Sequence, residues 1–246
     1  MNTEFNITRL GLFVRRQLLL NINTIGVAIA AVVGMLLIIS GLTAYSSPSN
    51  VQNLVPFYLV LLFIGGYVFT SKIFSELNSP QKSYAFLTLP VSTAEKLVGA
   101  WLIVTPLFLT VAIIGVFILI YISSLIAGQP ADLPNILSNV HFQRTVGAFL
   151  VTQTFFFLGA ATFRSNNFLK TLLALFAIAL VVIGYTTLLG YTLLGEGTAH
   201  IGPGTGGELK GTAEFIFKEL VPFLFWYVLG PFLLVVSYFK LKERQV

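Results

Sequence analysis

A chain of 246 residues with 56% hydrophobic and only 9% charged side chains, and a mean hydropathy of +0.90, is excluded from the water-soluble globular class, where about a quarter of residues are charged. Its 14 Lys and Arg against 9 Asp and Glu give a net charge of +5, but these cations flank apolar runs instead of forming one patch, which favours membrane topology over nucleic-acid binding. The absence of cysteine removes disulfides, thiolate metal centres and catalytic thiols. The expectation is one all-α, polytopic membrane domain spanning residues 1–246.

Residues 4–20 predict an amphipathic helix. Ile7, Leu10, Val14 and Leu18 share one arc, Arg9 and Arg16 lie opposite, and Leu12 departs from the pattern. Such a helix either lies among lipid headgroups or extends the next span into the cytoplasm. A signal peptide fits less well, because the apolar run after Arg15 and Arg16 is too long and Ala28 and Ala30 sit inside it. Span one is expected over 22–45. Within it Gly26, Ala30 and Gly34 form a small-residue ridge, suited to a subunit contact or to packing inside the chain. Span two covers 54–74, with Lys72 placed to snorkel to the interface.

The polar stretch 77–96 carries two helix-start signals. Ser79 precedes Pro80 as an N-cap before a first-position proline, and Ser92 with Glu95 has capping-box spacing. The prediction is a short helix over 80–87, a corner at Leu89-Pro90 and a new helix from Thr93. The stretch reads either as a well-capped loop or as a stiff elbow on which a soluble partner can push.

Span three, 97–126, is longer than a perpendicular crossing needs and contains Pro106, where a kink is expected. A loop over 128–140 with Asp132 leads to span four, 145–163. There Gln153 must pair with other helices or face a wet cavity and touch substrate. A basic turn at 164–170 precedes span five, 171–194. A Gly-rich loop follows over 195–219, ending in an amphipathic piece, 212–219. Its Gly202, Gly204 and Gly207 match a dinucleotide-binding spacing, but no βαβ unit surrounds them. Span six, 220–239, contains Pro222 and Pro231 and ends in Lys240, Lys242 and Arg244.

Six transmembrane helices with this charge pattern fix an orientation. Arg9, Arg15, Arg16, Lys72, Lys82, Lys96, Arg164, Lys170, Lys240, Lys242 and Arg244 fall on one side, and only Arg144, Lys210 and Lys218 on the other. Eleven against three puts both termini and the elbow in the cytoplasm. No acid lies mid-span, His141 and His200 fall in separate outer loops, and there is no P-loop. No enzyme activity, metal or cofactor is therefore expected, and a pump of this kind must draw its energy from another polypeptide.

The run Tyr84-Ala-Phe-Leu-Thr-Leu-Pro-Val-Ser-Thr-Ala-Glu-Lys96 resembles the first cytoplasmic loop of ABC-2 type transporter permeases. The resemblance implies the transmembrane subunit of an ABC exporter in the lipid bilayer of the bacterial inner membrane. It also implies a second permease subunit, as homodimer or heterodimer, and separate ABC ATPase subunits beneath. Tyr84, Phe86, Pro90, Ser92, Glu95 and Lys96 would then form the ATPase-coupling elbow. Two rivals are a non-transporting signalling, immunity or anchoring subunit and a passive channel or secondary carrier.

Overall fold

A computed structural model describes residues 5–48, 54–128, 138–194 and 215–244, and its regular structure is helical throughout. The segment 195–214, with the Gly-rich loop, His200 and the start of the predicted outer piece, lies outside the described residues, as does Asp132.

Helix α1 (Ile7–Ser46) runs unbroken for 40 residues, about 60 Å at 1.5 Å per residue and so about twice a 30 Å hydrocarbon layer. Asn6 starts it, its Oδ1 accepting from the Thr8 and Arg9 N–H groups at 2.8 and 3.4 Å. The predicted amphipathic segment and span one are thus one helix, its first half an extension of the span. The buried face of that half is Leu10, Phe13 and Gln17, while Ile7 is 77% exposed. Of the arc read from the sequence only Leu10 is buried, because the packed stripe is set by a neighbouring helix: a Cβ at Gly99 would stand 2.6 Å from Phe13.

Helix α2 (Val55–Ser71) is apolar and 17 residues long. A 3-10 turn (Ser75–Asn78), α3 (Pro80–Leu87) and α4 (Thr93–Leu102) follow. Through a π turn (Ile103–Leu107), α4 continues into α5 (Phe108–Ala127). Gly128, at φ 65°, stops it in the left-handed conformation that glycine adopts without penalty. Helices α6 (Val140–Thr162) and α7 (Asn167–Leu194) come next. The last helix opens with π turns at Ile216–Leu220 and Leu224–Val228, on either side of Val221–Phe223, and ends in α8 (Leu229–Glu243). Helix α6 starts five residues before the predicted span, with Asn139 capping the His141 N–H at 2.8 Å, so His141 sits in a helical turn and not in a loop.

Among the described residues five stretches are long and apolar enough to cross a membrane: Ile25–Ser46, Thr93–Ala127, Val140–Thr162, Asn167–Leu188 and Lys218–Glu243. Val55–Ser71 is a shorter apolar helix. Each π turn lies at or just before a proline, namely Pro106, Pro222 and Pro231. Proline lacks the amide and crowds the preceding turn, and a wider turn relieves both.

The helices alternate in direction, and this gathers four parts of the chain at one end of the bundle. They are the start of α1, the segment from Ser75 to Thr93, the Phe163–Asn167 turn and the end of α8. Phe13, Phe74, Phe86, Phe157 and Leu241 form one buried cluster there. A second cluster, around Leu36, Tyr58, Leu119 and Phe149, fills the other half. Its one buried phenol is satisfied, with the Tyr58 hydroxyl 2.5 Å from Ser40 Oγ and 3.3 Å from Ser123 Oγ.

A candidate coupling elbow

The elbow is built from its caps. At Ser92 the predicted capping box is complete: Ser92 Oγ accepts from the Glu95 N–H at 3.2 Å, and Glu95 Oε2 accepts from the Ser92 N–H at 2.7 Å. At Ser79 the expected side-chain cap does not form, although Pro80 takes the first helical position. Gln81 and Lys82 in the first turn of α3 are exposed, and solvent can satisfy the free donors there.

Glu95 does more than close its own turn. Its Oε1 accepts from the backbone N–H of Asn6 at 2.7 Å and from Arg9 Nη2 at 3.0 Å. One carboxylate with no exposed side-chain surface thereby joins the N-termini of α1 and α4. The positive ends of both helix dipoles meet a negative charge, and every bond to it comes from an N–H donor, which suits the ionised form. A second pair lies one step along α1, where Arg16 Nη1 and Nη2 both donate to Glu76 Oε2 at 3.1 and 3.2 Å.

Phe86 anchors α3 from beneath. It is fully buried, meets Phe13 edge to face with centroids 6.1 Å apart, and carries Lys96 Nζ 4.9 Å from its ring centre. Arg244 adds the last helix. Its Nη1 donates to the carbonyls of Ala160, Ala161 and Phe163 at 3.2–3.4 Å, and its Nη2 to Asn78 Oδ1 at 3.1 Å. A cation at the end of α6 satisfies carbonyls that the helix leaves unpaired. Burial, and then the neighbouring Arg164 charge, lower the Arg244 pKa, yet a guanidinium stays charged at any physiological pH.

The six residues expected to form the elbow's working surface therefore divide. Tyr84, 78% exposed, and Pro90 stand on the outer crest, beside exposed Lys82, Leu87 and Thr88. Ser92 is half-buried, while Phe86, Glu95 and Lys96 are inside the fold and cannot be touched by a partner. They form the packed base beneath the crest.

The other predicted positions lie away from the elbow. Gln153 is 1% exposed, its Nε2 donating to Thr70 Oγ1 at 2.8 Å and to the Val104 carbonyl, and its Oε1 accepting from Thr105 at 3.2 Å. Its amide is spent on helix-to-helix bonds. Gly26 and Ala30 are exposed and Gly34 half-buried, and nothing lies within 4 Å of a Cβ at either glycine. Among the described residues no side chain or backbone closes on the two glycines of this ridge. Among the described residues no three His, Cys, Asp or Glu converge as metal ligands.

Sequence reasoning missed Asn6, Arg9, Arg16, Glu76 and Arg244 as parts of the elbow. An Asn before a helical run is a cap signal that could have marked Asn6, but contacts across 60 to 166 residues leave no local pattern. No protein-family model, curated protein or solved structure matches this chain.

Proposed function

We propose that the chain is the membrane-spanning subunit of an ABC-2 type transporter, an exporter of the bacterial inner membrane that is powered by a separate ATPase subunit. The observation that carries this reading is the elbow: an exposed crest at Tyr84 and Pro90 on a base tied to α1, α4, α6 and α8. A push on a flexible loop would dissipate, whereas a push on this crest reaches two long helices at once. It passes through Phe86 to Phe13 on α1, and through Ser92 and Glu95 to the start of α1 and to α4. The π turn at Ile103–Leu107 interrupts the Thr93–Ala127 helix beyond the elbow and gives the motion a place to be absorbed.

Six spans complete the reading, with Val55–Ser71 as the shortest; its 17 residues meet the lower limit of about 17 for a helical crossing. Both termini and the elbow then lie in the cytoplasm, following the eleven-to-three bias of Lys and Arg. A second permease subunit, identical or related, faces the first. The uncovered ridge of Gly26, Ala30 and Gly34 permits close helix approach to it.

The test is purification of the tagged full chain from its native membranes, with identification of what comes with it. The expected result is a copurifying polypeptide with a P-loop and ATPase activity, lost with Tyr84→Asp and kept with Lys242→Gln. Absence of any ATP-binding polypeptide, or one indifferent to Tyr84→Asp and Pro90→Gly, would overturn the proposal in favour of a carrier or an anchoring subunit.

A further inference from the structure

A cavity of about 250 Å³ opens between α1, the end of α2 and the π turn, its lining part polar, with Gln17, Lys72 and Ser75, and part apolar, with Ile25, Phe69 and Ile103 among others. The lining is mixed because the cavity lies where α2 ends. Lys72 is the first residue past α2, and Gln17 stands eight residues before Ile25 on α1, about 12 Å of helix, with Ile25 inside the apolar part of that helix. Four of this end's cations are already engaged: Arg9 by Glu95, Arg16 by Glu76, Lys240 by Glu243 and Arg244 by carbonyls. Lys72 is exposed and has no ion-pair partner among the described residues.

The geometry points to a binding site for one anionic phospholipid, its phosphate on Lys72 and its acyl chains leaving over Ile25. A free anion would use only the polar residues of the lining and leave Ile25, Phe69 and Ile103 idle. A zwitterionic lipid would place its own cation beside Lys72. The cavity is smaller than the roughly 300–1,000 Å³ of pockets that enclose a whole ligand, so it holds the headgroup and the first methylenes. The chains then lie outside, along Ile29, which is one turn beyond Ile25 on the same face of α1 and 46% exposed. A lipid seated there touches both α1 and the α4–α5 helix at the hinge, so its occupancy bears on the angle between them.

This inference rests on the membrane part of the proposed function and not on ATPase coupling, and its test separates the two. The full chain, purified in detergent, is titrated with phosphatidylglycerol or with phosphatidylcholine of the same acyl chains, and retained lipid is counted by native mass spectrometry. The expected result is preferential retention of phosphatidylglycerol. Lys72→Gln should weaken it about fivefold, as expected for one cation at an anionic lipid, with Lys72→Arg restoring it and Lys82→Gln leaving it unchanged. Equal retention by Lys72→Gln, equal retention of phosphatidylcholine, or displacement by glycerol phosphate as a free anion would overturn the site. A chain that stays monodisperse without detergent would instead overturn the membrane reading itself.

Discussion

Glu95 holds two helix starts with one carboxylate, and substitution there tests how much of the elbow's stiffness is local. In Glu95→Gln one oxygen becomes an NH2 that must face either the Ser92 N–H or the Asn6 N–H, donor against donor in a buried place. The expected cost is about 2–3 kcal/mol, the penalty for an unsatisfied buried group. Arg9→Gln removes the Nη2 bond to Glu95, made by a side chain that is 29% exposed, and should cost less than about 1 kcal/mol. Thermal unfolding of the purified variants in detergent checks both; an Arg9→Gln loss as large as that of Glu95→Gln would mean that the ion pair, and not the double cap, holds the joint. Half of this arrangement was legible in advance. Ser92 and Glu95 are three residues apart, so their bond shows in the sequence, whereas the second oxygen reaches Asn6, 89 residues away. Ser79 shows the opposite failure, since a cap signal at a wet helix end has no buried donor to satisfy.

At the scale of elements, close approach of backbones sets which helices pair. A Cβ at Gly159 of α6 would stand 1.8 Å from Thr171 Oγ1 and 3.0 Å from Thr171 Cβ on α7. A β-branched side chain in a helix has few rotamers with which to retreat, so Gly159→Ala should push α7 away. The expected outcome is a clear loss of folded, monodisperse protein, partly restored by adding Thr171→Ala, which removes the nearest atom. Size-exclusion yield of the single and double variants measures this, and a full yield for Gly159→Ala alone would contradict the packing. Most helices could be read from hydropathy, but several of their ends could not. The polar residues His141, Gln143 and Arg144 disguise the first turns of α6, which project from the apolar stretch and are capped by Asn139. The join of residues 4–20 to span one was one of two readings that could not be told apart in advance, since a run without a breaker looks the same whether it bends or stays straight. Pro106, Pro222 and Pro231 marked the irregular places, while the π turns that answer them depend on how the neighbouring turns relax.

Across the whole molecule the account depends on which side of the bilayer the elbow faces. The fold gathers the start of α1, the elbow, the turn before α7 and the end of α8 at one end, and with them eleven of the fourteen cations of the sequence. At the far end of α6, about 35 Å away along 23 residues, stands His141. Because the chain has no cysteine, single cysteines can be placed without removing others. The direct measurement is labelling of Lys82→Cys and His141→Cys by a membrane-impermeant maleimide in spheroplasts with an intact inner membrane, then after permeabilisation. With the elbow in the cytoplasm, His141→Cys reacts at once and Lys82→Cys only after the membrane is opened. Reaction of Lys82→Cys in intact spheroplasts would place the elbow outside the cell, out of reach of any ATPase, and would contradict the account.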